Sequence, residues 1–212
     1  MRLQLAVDAA EHLALIPRVA RYFDLIEVGT PLLKRFGVGA VATVAELSGR
    51  RPVVVDTKTA DGGEAEARMV FGAGAVMMTV LASAAPETAY VTLAVAAEFA
   101  ADVVFDTVVG PAPSVIAPDR GPSATGRWVG LHSSFDSRSG VQAGPGGHIG
   151  DVVALRRRGF SVSLAGGIGP DNFAAVVESA PEIAVIGSSV TAAEDPEGVA
   201  RWLRQQTDAS AG

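Results

Sequence analysis

The segment Asp56-Thr57-Lys58-Thr59-Ala60-Asp61 concentrates more reactive chemistry than any other part of this sequence. A lysine flanked by two aspartates stays protonated, because the opposite charges hold its pKa up even when it is partly desolvated. Such an ammonium can stabilise a developing enolate or carbanion, or deliver a proton. Asp8, Glu27, Asp106 and His132 each stand at the end of a short apolar run. Glu27 and Asp56 are hard oxygen donors suited to Mg²⁺, with waters and substrate oxygens completing the octahedron. Several acids in one cavity also need a cation for charge balance. His132, preceded by Trp128-Val129-Gly130-Leu131, is a proton carrier if it faces those acids. Two glycine corners, Ala165-Gly166-Gly167-Ile168-Gly169-Pro170 and Ile186-Gly187-Ser188-Ser189, suit a phosphate held by backbone N–H groups. Each feature also has a plainer reading. An acid can cap a helix, the Asp-x-Lys-x-x-Asp segment can be a rim salt-bridge network, and a glycine can simply mark a tight turn.

The chemical reading requires elements that bring these residues together. Apolar runs at 3–7, 25–28, 52–55, 76–80, 103–105, 128–131, 161–165 and 183–186 are too continuous to be half-solvated and read as parallel strands covered on both faces. Helical spacing occupies 11–23, 38–47, 64–71, 87–99, 149–157, 172–178 and 196–205. Pro86 opens one helix, and Pro170-Asp171-Asn172 offers another a cap. Alternating strands and helices predict right-handed βαβ units, and eight of them in a chain of 212 residues predict a single-domain (β/α)8 TIM barrel. The barrel is expected over 1–206, with 207–212 as a disordered tail. A doubly wound open sheet competes, because periodicity does not reveal closure. Side chains alternate along a strand, so Gln4, Ala6 and Asp8 would share a face, as would Leu25 with Glu27 and Asp56 with Lys58. Inward residues at the strand C-termini of a barrel converge on one mouth. Two stretches depart from the pattern. Residues 110–127, with Pro111, Pro113, Pro118 and Pro122, argue against a normal crossover helix or leave room only for a very short one, and the glycine-rich 140–150 suits a mobile active-site loop.

Composition narrows the function classes. Aromatics supply only 6% of residues against 49% hydrophobic overall, so the core is mainly Ala, Val and Leu, as in a layered α/β interior. A net charge of −6 without a long basic run argues against nucleic acid or an anionic membrane as partner; Arg156-Arg157-Arg158 reads as an exposed helix end. Having no cysteine excludes disulfides, thiolate metal sites and a cysteine nucleophile, and fits the cytoplasm. The N-terminus turns acidic too soon for a signal peptide, and no apolar stretch has membrane-span length, so a soluble protein is expected. Gly37-Val38-Gly39-Ala40-Val41-Ala42 is a loose dinucleotide fingerprint, set aside because residues 30–36 separate it from its strand. His12 reads as helix surface and His148 as loop.

The motifs Leu3-Gln4-Leu5-Ala6-Val7-Asp8, Ile26-Glu27-Val28-Gly29-Thr30-Pro31 and Asp56-Thr57-Lys58-Thr59-Ala60-Asp61-Gly62-Gly63 resemble the 3-hexulose-6-phosphate synthase and 3-keto-L-gulonate-6-phosphate decarboxylase group of the orotidine-phosphate decarboxylase superfamily. Thr79-Val80-Leu81, His132, Ala165-Gly166-Gly167-Ile168 and Gly187 follow in matching order, so the resemblance spans nearly the whole chain. It implies a homodimeric barrel with Mg²⁺ held by Glu27 and Asp56, Asp8 and Lys58 beside the substrate, Asp61 reaching into the partner's site, and His132 in proton transfer. Asp106 would contact the substrate, with Gly166, Gly167, Gly187 and Ser188 around its phosphate. The shared chemistry would be an enediolate bound to Mg²⁺. Synthases make it from the phosphorylated sugar ribulose 5-phosphate and add it to a small aldehyde, formaldehyde; decarboxylases make it by losing CO₂. Asp106 in place of Glu, Phe135 in place of Arg, Ala165 in place of Thr and Ser188 in place of Arg all lean toward the synthases. Ser188-Ser189 and the proline-rich 110–127 are departures that suggest another acceptor or phosphosugar. A non-catalytic barrel that binds a phosphorylated metabolite is the reading from a different class.

Overall fold

Valine, isoleucine and leucine favour a pleated surface covered on both sides, and each apolar run forms a strand. The computed structural model describes residues 1–109, 128–134 and 145–210. Its strands are β1 Arg2–Val7, β2 Leu25–Val28, β3 Val53–Thr59, β4 Met77–Leu81, β5 Asp102–Asp106, β6 Trp128–His132, β7 Ser161–Ala165 and β8 Ile183–Ile186. They form one closed barrel in sequence order, and β8 pairs in parallel with β1 through Leu3↔Ala184 and Leu5↔Ile186. Closure excludes the open-sheet alternative.

The helices are α1 Ile16–Val19, α2 Thr30–Phe36, α3 Gly39–Leu47, α4 Gly63–Gly72, α5 Pro86–Glu98, α6 Ile149–Arg157, α7 Phe173–Ser179, α8 Ser188–Thr191 and α9 Pro196–Ala209. Four details differ from the sequence reading. The helix expected over 11–23 is a 3₁₀ turn, the single turn α1 and a second 3₁₀ turn, with Pro17 near the start of α1 removing a backbone donor. Helix α2 fills the stretch between β2 and the glycine-containing start of α3. Asn172 does not cap α7 with its side chain; it ties down the preceding loop instead, accepting from Gly169 N–H (3.0 Å) and donating to Gly167 O (2.8 Å). The expected tail from 207 is replaced by helix as far as Ala209, because Thr207 continues the buried stripe of Ala200 and Leu203. Residues 110–127, 135–144 and 211–212, including Phe135 and the first five residues of the glycine-rich stretch, lie outside the described residues; the rest of that stretch is a 3₁₀ turn, Pro145–His148, and the start of α6 rather than loop. Among the described residues no helix is long and apolar enough to cross a membrane.

Alternation along the strands divides the core into two parts. Leu3, Leu5, Val7, Ile26, Val28, Val53, Val55, Met78, Val80, Val103 and Phe105 belong to the large cluster that packs against the helices. Leu25, Val54, Met77, Val104, Trp128 and Ile183, from six different strands, form a separate buried cluster inside the barrel. Two residues further along the same inward faces come Glu27, Asp56, Thr79 and Asp106, so the apolar plug is the floor on which the polar residues stand. Arg2 lies 5.3 Å over the Trp128 ring at the other end of the barrel, closing the plug from below. Trp128→Ala is expected to destabilise the fold by about 3–5 kcal/mol in urea unfolding followed by circular dichroism. A loss below about 1 kcal/mol would show that the interior collapses around the void and that the plug is not tightly packed.

Candidate active site

Strand β3 carries the centre of the site. Its Asp56 is buried and receives Thr79 Oγ1 on Oδ1 (2.7 Å) and Lys58 Nζ on Oδ2 (2.5 Å), while Thr30 Oγ1 shares its one proton between the Asp56 carbonyl oxygen (2.7 Å) and Oδ2 (2.9 Å). Lys58 Nζ also lies 3.3 Å from Asp106 Oδ2 at the end of β5. The same Asp106 oxygen is 3.0 Å from His132 Nδ1 at the end of β6. One continuous chain of charge therefore runs from Asp56 through Lys58 and Asp106 to His132. On the other side, Gln4 Nε2 donates to Glu27 Oε2 at 2.5 Å.

The electrostatics follow from burial and neighbours. Burial pushes the Glu27 carboxyl from the ordinary 4.5 to about 8, with the Asp56 and Asp8 charges adding to the rise and the Gln4 hydrogen bond opposing it. Burial works against the charge on Lys58, but Asp56 and then Asp106 outweigh it, so the ammonium is held above the ordinary lysine value. Asp106 is pushed up by burial and pulled further down by its hydrogen bond to His132, by charge and by the Val108 N–H, ending below the ordinary carboxylate range. An ionised carboxylate can only accept, so His132 carries its proton on Nδ1 when neutral and leaves Nε2 to exchange protons.

Asp8 is exposed at the end of β1 and leans over Gly29: a Cβ placed on Gly29 would lie 2.0 Å from Asp8 Oδ1. Asp61 lies beyond β3, exposed, accepting from Gly62 N–H (2.8 Å), and the hydrogen bonds of the cluster among the described residues do not include it. At the glycine corners, Gly166 and Gly167 have φ of 100° and 67°, conformations that favour glycine. Gly166 also passes so close to Ser133 that a Cβ there would lie 2.6 Å from its carbonyl oxygen. Ser189 Oγ donates to Ile168 O (2.8 Å), joining the two corners, while Gly187 precedes the single turn α8 and Ser188 is exposed at its start.

Strand-end spacing puts Asp8, Glu27, Asp56, Lys58, Asp106 and His132 at one mouth; the structure brings the last five together, with the exposed Asp8 near enough for its charge to act on Glu27. The sequence reading missed the hydroxyls of Thr30 and Thr79 and the role of Gln4. Polar residues at inward positions of otherwise apolar strands were the available signal for Gln4 and Thr79. The expected simple alternation of Asp56 and Lys58 also needs correcting, since β3 changes register between Val55 and Thr59, and Lys58 reaches the mouth from a bulge.

The residues fit a small hard cation. Glu27 and Asp56 offer carboxylate oxygens in a buried, mutually repelling pair, an arrangement that a divalent ion relieves. Among the described residues no group of three or more acids or histidines forms a cage by itself, so a cation would rest on these two and on waters or substrate.

The profile of the orotidine 5'-phosphate decarboxylase / HUMPS family matches residues 1–126, more than half of the sequence. The chain belongs to this family. A 3-hexulose-6-phosphate synthase from Mycobacterium gastri is 32% identical over 208 residues, spanning 96% of this chain and 98% of its own. The crystal structure of 3-hexulose-6-phosphate synthase from Salmonella typhimurium aligns with a TM-score of 0.88 at 30% identity, over 99% of this chain and 100% of that one. The 3-keto-L-gulonate-6-phosphate decarboxylase of Vibrio cholerae aligns with a TM-score of 0.82 at 28% identity, over 98% and 97% of the two chains. This family member is therefore similar along its full length to enzymes named for two different reactions.

Glu27 gives the cation-free protein a defined pH response. Below the ordinary 4.5 the group is protonated in folded and unfolded chains alike; as pH rises toward about 8 the unfolded chain ionises first, so stability falls and the loss is complete above the folded value. Denaturant unfolding should show a decline on the order of a few kcal/mol from about pH 5 to about pH 8, flattened by Glu27→Gln. An identical slope in the variant would remove Glu27 as its cause.

Proposed function

We propose that this chain is a carbon–carbon lyase of the 3-hexulose-6-phosphate synthase type, joining the enediolate of ribulose 5-phosphate to formaldehyde, or running the reverse cleavage. The observation that carries this reading is the lysine held between two acids at the mouth, with an oriented histidine one residue further along the chain of charge. His132 Nε2 takes the proton next to the sugar carbonyl, with Asp106 fixing the ring. The Lys58 ammonium faces the negative charge that develops on the sugar oxygens, and Asp8 lies at the mouth beside the substrate. The carbon that lost its proton forms the new bond to the aldehyde carbon, and a proton returns to the aldehyde oxygen. Glu27 and Asp56 would hold Mg²⁺, which when bound supplies Lewis-acid stabilisation of developing charge. Gly166, Gly167, Gly187 and Ser188 would surround the phosphate through backbone N–H groups and a hydroxyl. Such a phosphorylated substrate implies a cytoplasmic enzyme.

Decarboxylation of a 3-keto sugar acid phosphate is the second reading, supported by the likeness to the Vibrio cholerae enzyme. Asp106, Ala165 and Ser188 favour the synthase. The costly burial of Glu27, Asp56 and Asp106 argues against a barrel that only binds a metabolite.

With Mg²⁺ and ribulose 5-phosphate, the protein is expected to consume formaldehyde. Lys58→Ala should lower kcat by about 10²–10³-fold and His132→Asn by about 10²–10⁴-fold. Formaldehyde left untouched by folded, Mg²⁺-supplied protein, together with CO₂ released from 3-keto-gulonate 6-phosphate, would transfer the assignment to the decarboxylase. We also propose a homodimer in which Asp61 completes the partner's site, supported by its exposed place beyond β3 and by exposed Met69, Tyr90, Val91 and Phe99 on α4, α5 and the following residue. Mixing inactive Asp61→Ala and Lys58→Ala subunits should then restore part of the activity. No recovery, although mixed dimers form, would place Asp61 outside shared catalysis.

A further inference from the structure

Thr79 is opposite the whole of the reactive bulge. Val55 pairs with Met78 and Thr59 with Val80, so Asp56, Thr57 and Lys58 together face one residue of β4. The two extra residues interrupt the ladder, and Lys58 takes φ 48°, in the left-handed region that a residue with a long side chain enters only under constraint. Its N–H donates to Thr79 Oγ1, at 2.9 Å. The Thr79 hydroxyl in turn donates to Asp56 Oδ1 at 2.7 Å. These roles are forced, because an amide can only donate, an ionised carboxylate can only accept, and a hydroxyl has one proton and two lone pairs. The Thr79 carbonyl oxygen accepts from Thr57 Oγ1. Every residue of the bulge is thus held by Thr79. Lys58 Nζ and the shared proton of Thr30, which also reaches the Asp56 carbonyl oxygen, meet the carboxylate at Oδ2, so the bond from Thr79 to Oδ1 fixes the rotation of the group.

We propose that Thr79 is a positioning residue whose hydroxyl sets the Lys58 backbone and the Asp56 carboxylate together, so that the ammonium and the cation-binding oxygens meet the substrate in one arrangement. The kinetic part of this proposal rests on the synthase reading; the structural part does not. A plain packing role would need only the shape of the side chain, which valine reproduces.

Thr79→Val keeps the shape and removes the hydroxyl, while Thr79→Ser keeps the hydroxyl. Three measurements on folded full-length protein decide the matter: hydrogen exchange of the Lys58 amide, Mn²⁺ affinity by electron paramagnetic resonance, and kcat and KM with ribulose 5-phosphate and formaldehyde. In Thr79→Val the Lys58 amide should exchange about 10-fold faster, as expected for one lost hydrogen bond. Mn²⁺ should bind about 10–100-fold more weakly. The kcat should fall about 100-fold with KM for the sugar within about 3-fold. Thr79→Ser should return all three to near wild type. Unchanged exchange of the Lys58 amide in Thr79→Val, or wild-type kcat and Mn²⁺ affinity in that variant, overturns the proposal. A wild-type protein that neither binds Mn²⁺ nor turns over the sugar overturns the synthase reading instead, and amide exchange alone then decides whether Thr79 holds Lys58.

Discussion

A carboxylate taken out of water must find positive charge or hydrogen-bond donors, or give up its own charge. At the mouth of this barrel one lysine serves two of the acids, lying 2.5 Å from Asp56 and 3.3 Å from Asp106. Asp106 gains a second partner in His132 and sits below its ordinary pKa, whereas Glu27, with Gln4 as its neutral donor, is pushed to about 8. This inequality divides the site into two working halves. In the Lys58–Asp106–His132 half the buried acid finds its partners within the chain. In the other half Asp56 leans on the same lysine, and Glu27 answers its burial by holding on to its proton up to about pH 8.

The barrel makes this concentration of charge tolerable. Six inward apolar side chains fill the interior below the site, so the polar row has one wet side and one dry side. The outward residues of the same strands pack under the helices and fix the strand positions. With both faces committed, a strand can adjust only by changing length locally, and β3 does so at the bulge that presents Asp56 and Lys58. The strain of a left-handed lysine is thereby confined to the turn of chain that puts its ammonium between Asp56 and Asp106.

The same cluster suits both reactions for which the relatives are named. On the proposed reading each requires a negatively charged carbon–oxygen system to be stabilised, and an ammonium beside buried acids would meet that need whichever bond broke to make it.

Residue types and spacing by themselves determined the eight strands, the inward placement of Glu27, Asp56, Asp106 and His132, and the chemical character of the Asp-x-Lys-x-x-Asp segment, because burial on both faces writes continuous apolar runs and strand geometry has a fixed period of two. Closure of the sheet was not legible, since it depends on β8 meeting β1 across the full length of the chain. Neither was the bulge in β3, which exists only relative to the register of β4, nor the grip of the Thr79 hydroxyl upon it. Helix α2 and the break-up of the first helical segment also escaped, because Pro31 and Pro17 sit where packing decides whether a turn continues. Tertiary structure alone decided which acids share the lysine and which is left with only a neutral donor, because charge is apportioned by distances between strands that no spacing along the chain encodes.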